Sequence, residues 1–309
     1  MITLLSDFGY EDAYVAIMKG VIAAIAPHEA TCDLTHSIAP QDILSGRFNL
    51  KLAYPHFPSG TVHLAVVDPG VGAARNALAI RCSNADMSCF LVGPDNGLLS
   101  GVLEDFISES GTNDVTAVVL TNPQYWRSGL TGGTPSETFH GRDIFAPVAA
   151  HIANGVALEA LGDRIHPDAL VKAHTSPFKA RCQNFPLEEI NRCFEKFQAS
   201  SDSEIAQTRG EALGIGCIQH VDRFGNLISN IPESIVCDRR WKILLDTPLG
   251  SKLISRIKTY SDAPFGSVAA LIGSHGWVEI ACNRGSALAA LGLARKAAVG
   301  THVMAIEAA

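Results

Sequence analysis

The sequence has no surplus of positive charge and no long apolar run, and each absence excludes a class of partner. Its 24 Lys and Arg residues against 31 Asp and Glu residues give a net charge of -7. A general nucleic-acid binder, or a protein held at an anionic membrane surface, needs a basic surplus instead. No uninterrupted apolar stretch approaches the roughly 18 residues of a membrane-spanning helix. We therefore expect neither nucleic acid nor membrane as a partner.

The sequence also lacks the signatures of secretion and of paired cysteines. A basic segment is missing at the amino terminus, and Asp7, Glu11 and Asp12 fall where the apolar part of a secretion signal would run, so we expect no such signal. The eight cysteines form no C-x-x-C pair, which argues against a zinc ribbon or a redox dithiol. We interpret them as reduced residues of a cytoplasmic protein, because stable disulfides are rare in the cytosol.

Metal-ligand spacing is missing as well. None of the 11 histidines stands in an H-E-x-x-H or H-x-H cluster. A site assembled from the distant Asp7, His36 and His140 is conceivable, but no local spacing supports it. We predict no metal.

Three regions of the chain differ in character. Residues 1–175 alternate strand-like and helix-like stretches, which predicts an α/β domain with a mainly parallel sheet covered on both faces. Residues 176–210 read as a polar linker or insertion, with one short helix at 187–198. Residues 211–309 are rich in short strands, which is typical of a small barrel or sandwich.

The elements follow from hydrophobic periodicity and from turn residues. In the first region the predicted strands are Ile2–Leu5, Thr31–Leu34, Thr61–Val67, Phe90–Val92 and Val115–Leu120, and the predicted helices are Ala13–Ala26, Asp42–Tyr54 and Arg142–Asn154. We expect Asp42 to cap the second of these helices. In the last region the predicted strands are Ile215–Val221, Leu227–Ile231, Trp241–Leu245, Ser267–Ile272, Trp277–Ala281 and His302–Ile306, with one helix at Ala287–Lys296.

Polar residues follow several strands of the first region. They are Asp7, Asp68, Asp95 and Asn96. Ligands of open α/β sheets bind outside the carboxyl ends of the strands. This pattern predicts a site that contains these four residues.

A dinucleotide-binding loop is not among the motifs. Gly70-Val71-Gly72 follows a strand, but the third glycine of the fingerprint is missing and Arg75 stands where the helix would open. No convincing acidic residue lies about 20 positions further on, as the fingerprint requires. A phosphate loop of the G-x-x-x-x-G-K type is absent too.

Each candidate site residue has a structural and a functional interpretation. Asp68 and Arg75 form either a turn with a surface arginine or an ion pair that polarises a water. His140 is either structural or a proton carrier, with Gly141 leaving room for a ligand. Asp7 either caps the turn at Gly9 or accepts hydrogen bonds from a ribose diol.

The stretch from Asp222 to Asn226 in the last region also has two interpretations. It is either a hairpin turn built on Gly225-Asn226 or a ligand site. In the second case Phe224 stacks on a base and Asp222 pairs with an amino-acid ammonium.

Together these stretches resemble the S-adenosylmethionine hydroxide adenosyltransferase family, which also contains the fluorinating and chlorinating enzymes. The resemblance runs in family order over nearly the whole chain. It is carried by Ser6-Asp7-Phe8-Gly9, Met18-Lys19-Gly20-Val21-Ile22, Asp33-Leu34-Thr35-His36, Gly60-Thr61-Val62-His63, Val67-Asp68-Pro69-Gly70-Val71-Gly72, Gly93-Pro94-Asp95-Asn96-Gly97-Leu98, Thr138-Phe139-His140-Gly141-Arg142-Asp143, Asp222-Arg223-Phe224-Gly225-Asn226 and Glu279-Ile280-Ala281.

The resemblance implies an N-terminal α/β domain, a C-terminal β-barrel and a homotrimer whose sites lie between subunits. It implies hydrolysis of S-adenosylmethionine at ribose C5′ to adenosine and L-methionine, without metal or other cofactor. The catalytic residues it implies are Asp68, Arg75 and His140. The substrate contacts we expect are Asp7, Phe8, Phe139, Asp222, Phe224, Asn226, Ser274 and Asn283.

Three departures from the halogenating members favour water over halide. Those members carry an aromatic residue at the position of Asp68, a serine at Gly141 and a tryptophan at Gln41. They also carry arginines at the positions of His275 and Cys282. A halide-using transferase and a non-catalytic protein that binds adenosine or S-adenosylmethionine remain the two alternatives.

Overall fold

The computed structural model describes residues 1–127, 133–173, 178–180, 212–248 and 250–308. The chain divides into two compact units, Met1–Ala173 and His174–Ala309. The finer division at 175 and 210 stays a prediction, and the short helix expected at 187–198 lies outside the described residues. No helix of the described part has the length and apolarity that crossing a membrane requires.

The first unit is built on a seven-stranded sheet. Its strands are β1 Ile2–Ser6, β2 Thr31–Thr35, β3 Thr61–Val66, β4 Ala77–Ser83, β5 Ser88–Pro94, β6 Val115–Val119 and β7 Asp163–Ile165. They lie in the order β2-β1-β3-β5-β4-β6-β7. Strands β2, β1, β3 and β5 pair in parallel, and β4, β6 and β7 extend the sheet by antiparallel pairing. The predicted α/β fold class is confirmed.

Helices cover both faces of this sheet. They are α1 Tyr14–Ile25, α2 Ile43–Ala53, α3 Ser100–Ser110 and α4 Ala146–Ala153. Met18 of α1 packs in one core with Leu64 of β3. Leu50 of α2 and Val102 of α3 pack in a second core with Ala65. Because successive strand residues point to opposite faces, Leu64 and Ala65 place these cores on the two sides of β3.

The structure corrects several predicted elements of this unit. The helix expected at Arg142–Asn154 begins as a π-helical turn, Gly141–Phe145, and continues as α4. Strand β4 and helix α3 were not predicted. In α3 the helical signal is weak, because the helix contains Gly101 and serines of low helix propensity. The predicted cap of α2 is confirmed, because the Asp42 carboxylate accepts a hydrogen bond from the backbone N–H of Ser45 at 3.0 Å.

The second unit is an antiparallel, nearly closed barrel. Its strands are β8 Lys179–Ala180, β9 Ala212–Val221, β10 Leu227–Pro232, β11 Trp241–Leu245, β12 Lys252–Ser255, β13 Val268–Ile272, β14 Trp277–Cys282 and β15 His302–Glu307. Their order is β12-β11-β15-β9-β10-β14-β13, with β8 paired to β9. An isolated bridge between Arg256 and Ala270 brings the two edges together. The barrel predicted for this region is confirmed.

The helix predicted at Ala287–Lys296 was wrong. The described residues of this unit contain three short α-helices instead, which are α5 Glu233–Val236, α6 Ala287–Ala290 and α7 Arg295–Ala298. Gly292 lies between α6 and α7 at φ 64°. A glycine in the left-handed conformation readily ends a helix. The apolar pattern of the sequence runs past Gly292, and the prediction therefore extended the helix beyond its end.

Candidate active site

An open pocket of about 410 Å³ lies where β1 and β3 end, which is the edge where open α/β sheets bind ligands. Its lining residues are Asp7, Phe8, Tyr14, Pro40, Gln41, Asp68, Pro69 and Val71. This volume lies within the usual range for small-molecule sites. The predicted residues Asp7, Phe8 and Asp68 are therefore together at one pocket. Tyr14 was missed, since in the sequence it reads only as part of the apolar pattern of α1.

The three residues predicted as catalytic are in contact. Arg75 Nε donates to Asp68 Oδ1 at 3.1 Å and to Oδ2 at 3.0 Å. Arg75 Nη2 also contacts Asp68 Oδ2 and donates to His140 Nδ1 at 2.8 Å. The side chains of Arg75 and Asp68 are only 11 % and 5 % exposed. A charge-assisted network of this kind is stronger and more rigid than neutral hydrogen bonds.

The network also fixes the state of the histidine. Arginine only donates hydrogen bonds, so His140 Nδ1 accepts from Arg75 and the proton of the neutral ring lies on Nε2. Burial lowers the pKa of His140, and the nearby charge of Arg75 lowers it further, against the opposing effect of Asp68 and Asp143. His140 is thus a neutral residue near pH 7, with Nε2–H as its donor.

A glycine allows two segments of the site to approach each other. Gly72 has φ 77°, and a Cβ built there would lie 2.4 Å from the carbonyl oxygen of Glu137. Only glycine fits both this left-handed backbone and this close approach. The turn that carries Asp68 and Arg75 is thereby packed against the segment that leads to His140.

The π-helical turn after His140 is held by a buried carboxylate. Asp143 accepts from Arg142 Nε and Nη2, both at 2.6 Å, and from the backbone N–H of Ser136 at 2.9 Å. Burial raises the pKa of Asp143, but the hydrogen bonds from Arg142 and Ser136 outweigh it and leave the pKa below its ordinary value. Turns of this π type occur often at functional sites, and here one fixes the backbone beside His140.

Asp7 is oriented by a strained residue of the neighbouring loop. Its Oδ2 accepts from the backbone N–H of Gln41 at 2.8 Å, and Gln41 has φ 67°. A positive φ in a residue other than glycine is uncommon and concentrates at functional sites. The turn at Gly9 uses the carbonyl of His36 instead, at 2.8 Å. The carboxylate of Asp7 is therefore oriented by Gln41 and does not cap the turn at Gly9, which was the structural one of its two interpretations.

Three aromatic rings meet beside Asp7. Phe8 and Phe139, both predicted contacts, lie 5.8 Å apart edge to face. Tyr14 lies 5.7 Å from Phe8 and 5.2 Å from Phe139. Such tilted and edge-to-face pairs stabilise the rings in fixed positions, and they give the pocket a firm apolar wall.

Two residues predicted at the strand ends do not line this pocket. Asp95 accepts from Asn76 Nδ2 at 3.2 Å and from the backbone N–H of Val171 at 2.9 Å. Asn96 donates to the carbonyl oxygen of Val67 at 2.8 Å. Both side chains join loops at the same end of the sheet, so their polarity serves the scaffold.

In the second unit, the Asp222–Asn226 stretch is the hairpin turn between β9 and β10. Asp222 accepts from the backbone and side-chain nitrogens of Asn226 at 2.8 and 3.0 Å. Phe224 at its tip is 76 % exposed. Asn283 Nδ2 donates to the carbonyl oxygen of Ala263 at 2.7 Å, and Ser274 lies between β13 and β14. The substrate roles of these residues stay predictions.

Neither a metal cluster nor a disulfide is found in the described part of the chain. No group of three or more His, Cys, Asp or Glu side chains there is arranged to hold a metal ion. The described cysteines that form no disulfide are Cys32, Cys82, Cys89, Cys217, Cys237 and Cys282.

Known proteins resemble this chain over nearly its full length. Family models for the SAM hydroxide adenosyltransferase N-terminal and C-terminal domains match residues 2–162 and 216–300. The chain is 37 % identical to an (R)-S-adenosyl-L-methionine hydrolase of Thermus thermophilus, with 94 % of each protein covered. It is 26 % identical to a fluorinase of an Actinoplanes species, with 92 % of this chain and 91 % of the fluorinase covered. A crystal structure of an uncharacterized conserved protein from Thermotoga maritima matches with a TM-score of 0.76 and 29 % identity, covering 99 % of this chain and 100 % of that one. The chain belongs to the SAM hydroxide adenosyltransferase family.

Proposed function

We propose that this protein hydrolyses S-adenosyl-L-methionine to adenosine and L-methionine by attack of water at ribose C5′. One observation carries the proposal. Asp68, Arg75 and His140 form a connected, largely buried network beside a pocket that also exposes Asp7 and Phe8. Relatives that are named (R)-S-adenosyl-L-methionine hydrolase, such as the Thermus thermophilus protein, support the same reaction.

The reaction needs a positioned oxygen more than it needs a strong base. The oxygen of water forms a bond to C5′ while the C5′–S bond breaks. The electron pair of the C5′–S bond stays on sulfur, which leaves as the neutral thioether of methionine. Because the sulfonium is already a good leaving group, the protein mainly has to hold water and C5′ in line. Such positioning is worth about 7–11 kcal/mol, whereas a general base contributes about 10²–10⁴-fold in rate.

Within the network, Asp68 is the group that takes the proton of water. His140 cannot do so in this arrangement, since its Nδ1 accepts from Arg75 and its Nε2 already carries a proton. Asp68 lines the pocket, and its Oδ1 receives one hydrogen bond from Arg75, whereas Oδ2 receives two. We assign Asp68 Oδ1 to the water, Arg75 to orienting the carboxylate, and His140 to holding Arg75.

The remaining contacts follow from the chemistry of the substrate. Asp7 accepts hydrogen bonds from the ribose diol, and Phe8 and Phe139 shape the wall around it. Phe224 and Asn226 serve the adenine, whereas Asp222 and Ser274 serve the methionine, and Asn283 is a further substrate contact. No metal or other cofactor is needed, since no step calls for a Lewis acid.

The active form we propose is a cytoplasmic homotrimer with its sites between subunits. Large exposed side chains support association: Phe224 and Phe265 are 76 % and 77 % exposed, and Tyr10 is 64 % exposed. The free thiols support a reducing compartment. Analytical ultracentrifugation tests the assembly, and a monomer at assay concentration would refute it.

The deciding experiment uses purified protein, S-adenosylmethionine and EDTA in halide-free buffer. We expect adenosine and methionine to appear in equal amounts by chromatography, and to be lost in Asp68→Asn. A 5′-halo-5′-deoxyadenosine formed on adding chloride or fluoride would favour the halide-using transferase. Tight binding of adenosine with no product over hours would instead indicate a binding protein.

A further inference from the structure

A chain of four polar side chains lies behind the pocket without lining it. Lys19 Nζ donates to Asp33 Oδ2 at 2.7 Å. Asp33 Oδ1 lies 3.2 Å from His36 Nε2, and His36 Nδ1 lies 2.7 Å from Ser6 Oγ. Ser6 and His36 are fully buried. We call these four residues the Ser6 relay.

The donors of the relay converge from both sides on the carboxylate of Asp33. Among the described residues, His36 Nε2 and Asp33 Oδ1 have no hydrogen-bond partner of regular geometry, and they face each other at 3.2 Å. Because a carboxylate only accepts hydrogen bonds, the proton of the neutral ring lies on Nε2. Ser6 O–H then donates to Nδ1, and its lone pairs accept from the backbone N–H of Phe8 at 3.3 Å. Burial lowers the pKa of His36, although Asp33 opposes it, which agrees with a neutral ring.

The relay ends on the backbone that follows Asp7. Ser6 precedes Asp7 in sequence and holds the N–H of Phe8. The carbonyl oxygen of His36 accepts from the N–H of Gly9 at 2.8 Å. These contacts fix the turn that carries the Asp7 carboxylate, while Gln41 fixes the carboxylate itself.

A second buried hydroxyl–histidine pair on the same strand shows what is particular about the relay. Thr3 Oγ1 lies 2.8 Å from His63 Nδ1, and both residues are buried. No pocket-lining residue takes part in this hydrogen bond. Buried polar groups are costly and seldom add more stability than apolar packing would. The Ser6 relay differs from the Thr3 pair because its buried polar groups lie next to Asp7, a residue of the site.

We propose that Lys19, Asp33, His36 and Ser6 are positioning residues that hold the Asp7 carboxylate in the orientation that binds the ribose of the substrate. The inference rests on the proposed function, because Asp7 has a ribose to bind only if the substrate is a nucleoside. Since the relay acts through Asp7 and not on the reacting atoms, it governs binding and leaves the chemical step intact.

The test compares Ser6→Ala and Asp33→Asn with the matched control Thr3→Val. KM and kcat are measured for S-adenosylmethionine, and the Kd of adenosine is measured by calorimetry, all well below the Tm of each variant. We expect both relay variants to raise KM and Kd about tenfold, which is the effect of one lost hydrogen bond, and to keep kcat within about twofold. Thr3→Val should lower Tm and leave KM and Kd unchanged.

A double-mutant cycle separates positioning from general loosening of the fold. If the relay acts through Asp7, Ser6→Ala should add little to the KM of Asp7→Asn, so the two effects are non-additive. Additive effects, or an unchanged KM in Ser6→Ala and Asp33→Asn, would overturn the inference. Should Ser6→Ala not fold, Lys19→Met gives the same test, since that side chain is 35 % exposed.

The same assays keep this inference distinct from the proposed function. If the wild type turns over S-adenosylmethionine and the relay variants keep its KM and Kd, the relay inference alone is refuted. A wild-type protein that neither binds adenosine nor consumes S-adenosylmethionine would refute the proposed function, and the relay inference with it.

Discussion

Arg75 has five donors and no acceptor, and this property fixes what both of its neighbours can do. It leaves Asp68 as the acceptor beside the pocket and makes His140 a neutral support. Each of the three residues therefore has a defined hydrogen-bonding role. Activity should suffer more from a substitution that exchanges a donor for an acceptor than from one that only shortens a side chain.

Substitution by asparagine should separate the roles of Asp68 and His140, the two residues that contact Arg75. Asp68→Asn removes the acceptor for the proton of water, so we expect kcat to fall about 10²–10⁴-fold with KM little changed. His140→Asn keeps an oxygen that can accept from Arg75, so a loss of only about tenfold is expected. Steady-state kinetics of the two variants, with Asn76→Ala as a control near the site, provide the measurement. A larger loss in His140→Asn than in Asp68→Asn would contradict the assignment.

The acid limb of the pH profile should report His140. Its pKa lies below the ordinary value of 6.5, mainly because of burial and then because of Arg75. Protonation would place an N–H of the ring against the donor of Arg75 and break their hydrogen bond. We expect kcat/KM to be constant near neutral pH and to fall as pH drops through a pKa below 6.5. His140→Asn should lose this limb, and an unchanged limb would assign it to another group.

At the scale of elements, the site depends on the approach of two turns. Gly72 and the segment before His140 are in backbone contact. The turn after β3 and the π-helical turn before α4 therefore behave as one structural piece, although they are far apart in the chain.

Gly72→Ala tests this approach against a glycine of similar backbone. The Cβ would meet the carbonyl oxygen of Glu137 at 2.4 Å, whereas Gly60, with φ 86°, has nothing within 4 Å. Both substitutions strain a left-handed backbone, which should cost about 1–2 kcal/mol in unfolding free energy, and Gly72→Ala should cost more because of its contact with Glu137. Only Gly72→Ala should also lower kcat/KM, by about tenfold or more, because it displaces one turn from the other. Equal kinetic losses in the two variants would argue against this contact.

The sequence predicted best what is decided locally. Asp42 was recognised as a helix cap because the signal lies within three residues of the N–H that it binds. Strand β4 was missed because it is defined by antiparallel pairing with β5 and β6, which no local pattern records. The contact of Arg75 with His140 joins positions 65 residues apart, so only the resemblance to a family could suggest it. The positive φ of Gln41 carries no sequence signal of its own.

At the scale of the whole molecule, buried histidines couple stability to pH. His63 is 1 % exposed, and burial lowers its pKa to about 4. Between pH 6.5 and 4 the unfolded chain binds a proton at this residue and the folded chain does not. The stability associated with the neutral ring is therefore complete above pH 6.5 and declines as pH falls towards 4.

His63→Leu should flatten this dependence. Urea unfolding at several pH values between 7 and 4 would measure it, and the loss attributable to His63 in the wild type is on the order of 3 kcal/mol. His166→Ala, at a side chain that is 68 % exposed, is the matched control and should leave the dependence unchanged. A wild-type slope that persists in His63→Leu would place the acid sensitivity elsewhere, for example at His220, whose pKa burial also lowers to about 4.

Strand β2 is the outermost strand of the described seven-stranded sheet on one side, and Asp33 is the one charged residue in its sequence, Thr31–Thr35. An outer strand offers unpaired backbone groups to any other extended chain, and a charge on it is a common protection against fibrous self-association. The carboxylate that begins the orientation of Asp7 thus also guards the edge of the sheet. Replacement of Asp33 by a neutral residue should therefore lower both the affinity for substrate and the resistance to aggregation. Solubility and substrate binding thus depend on the same side chain.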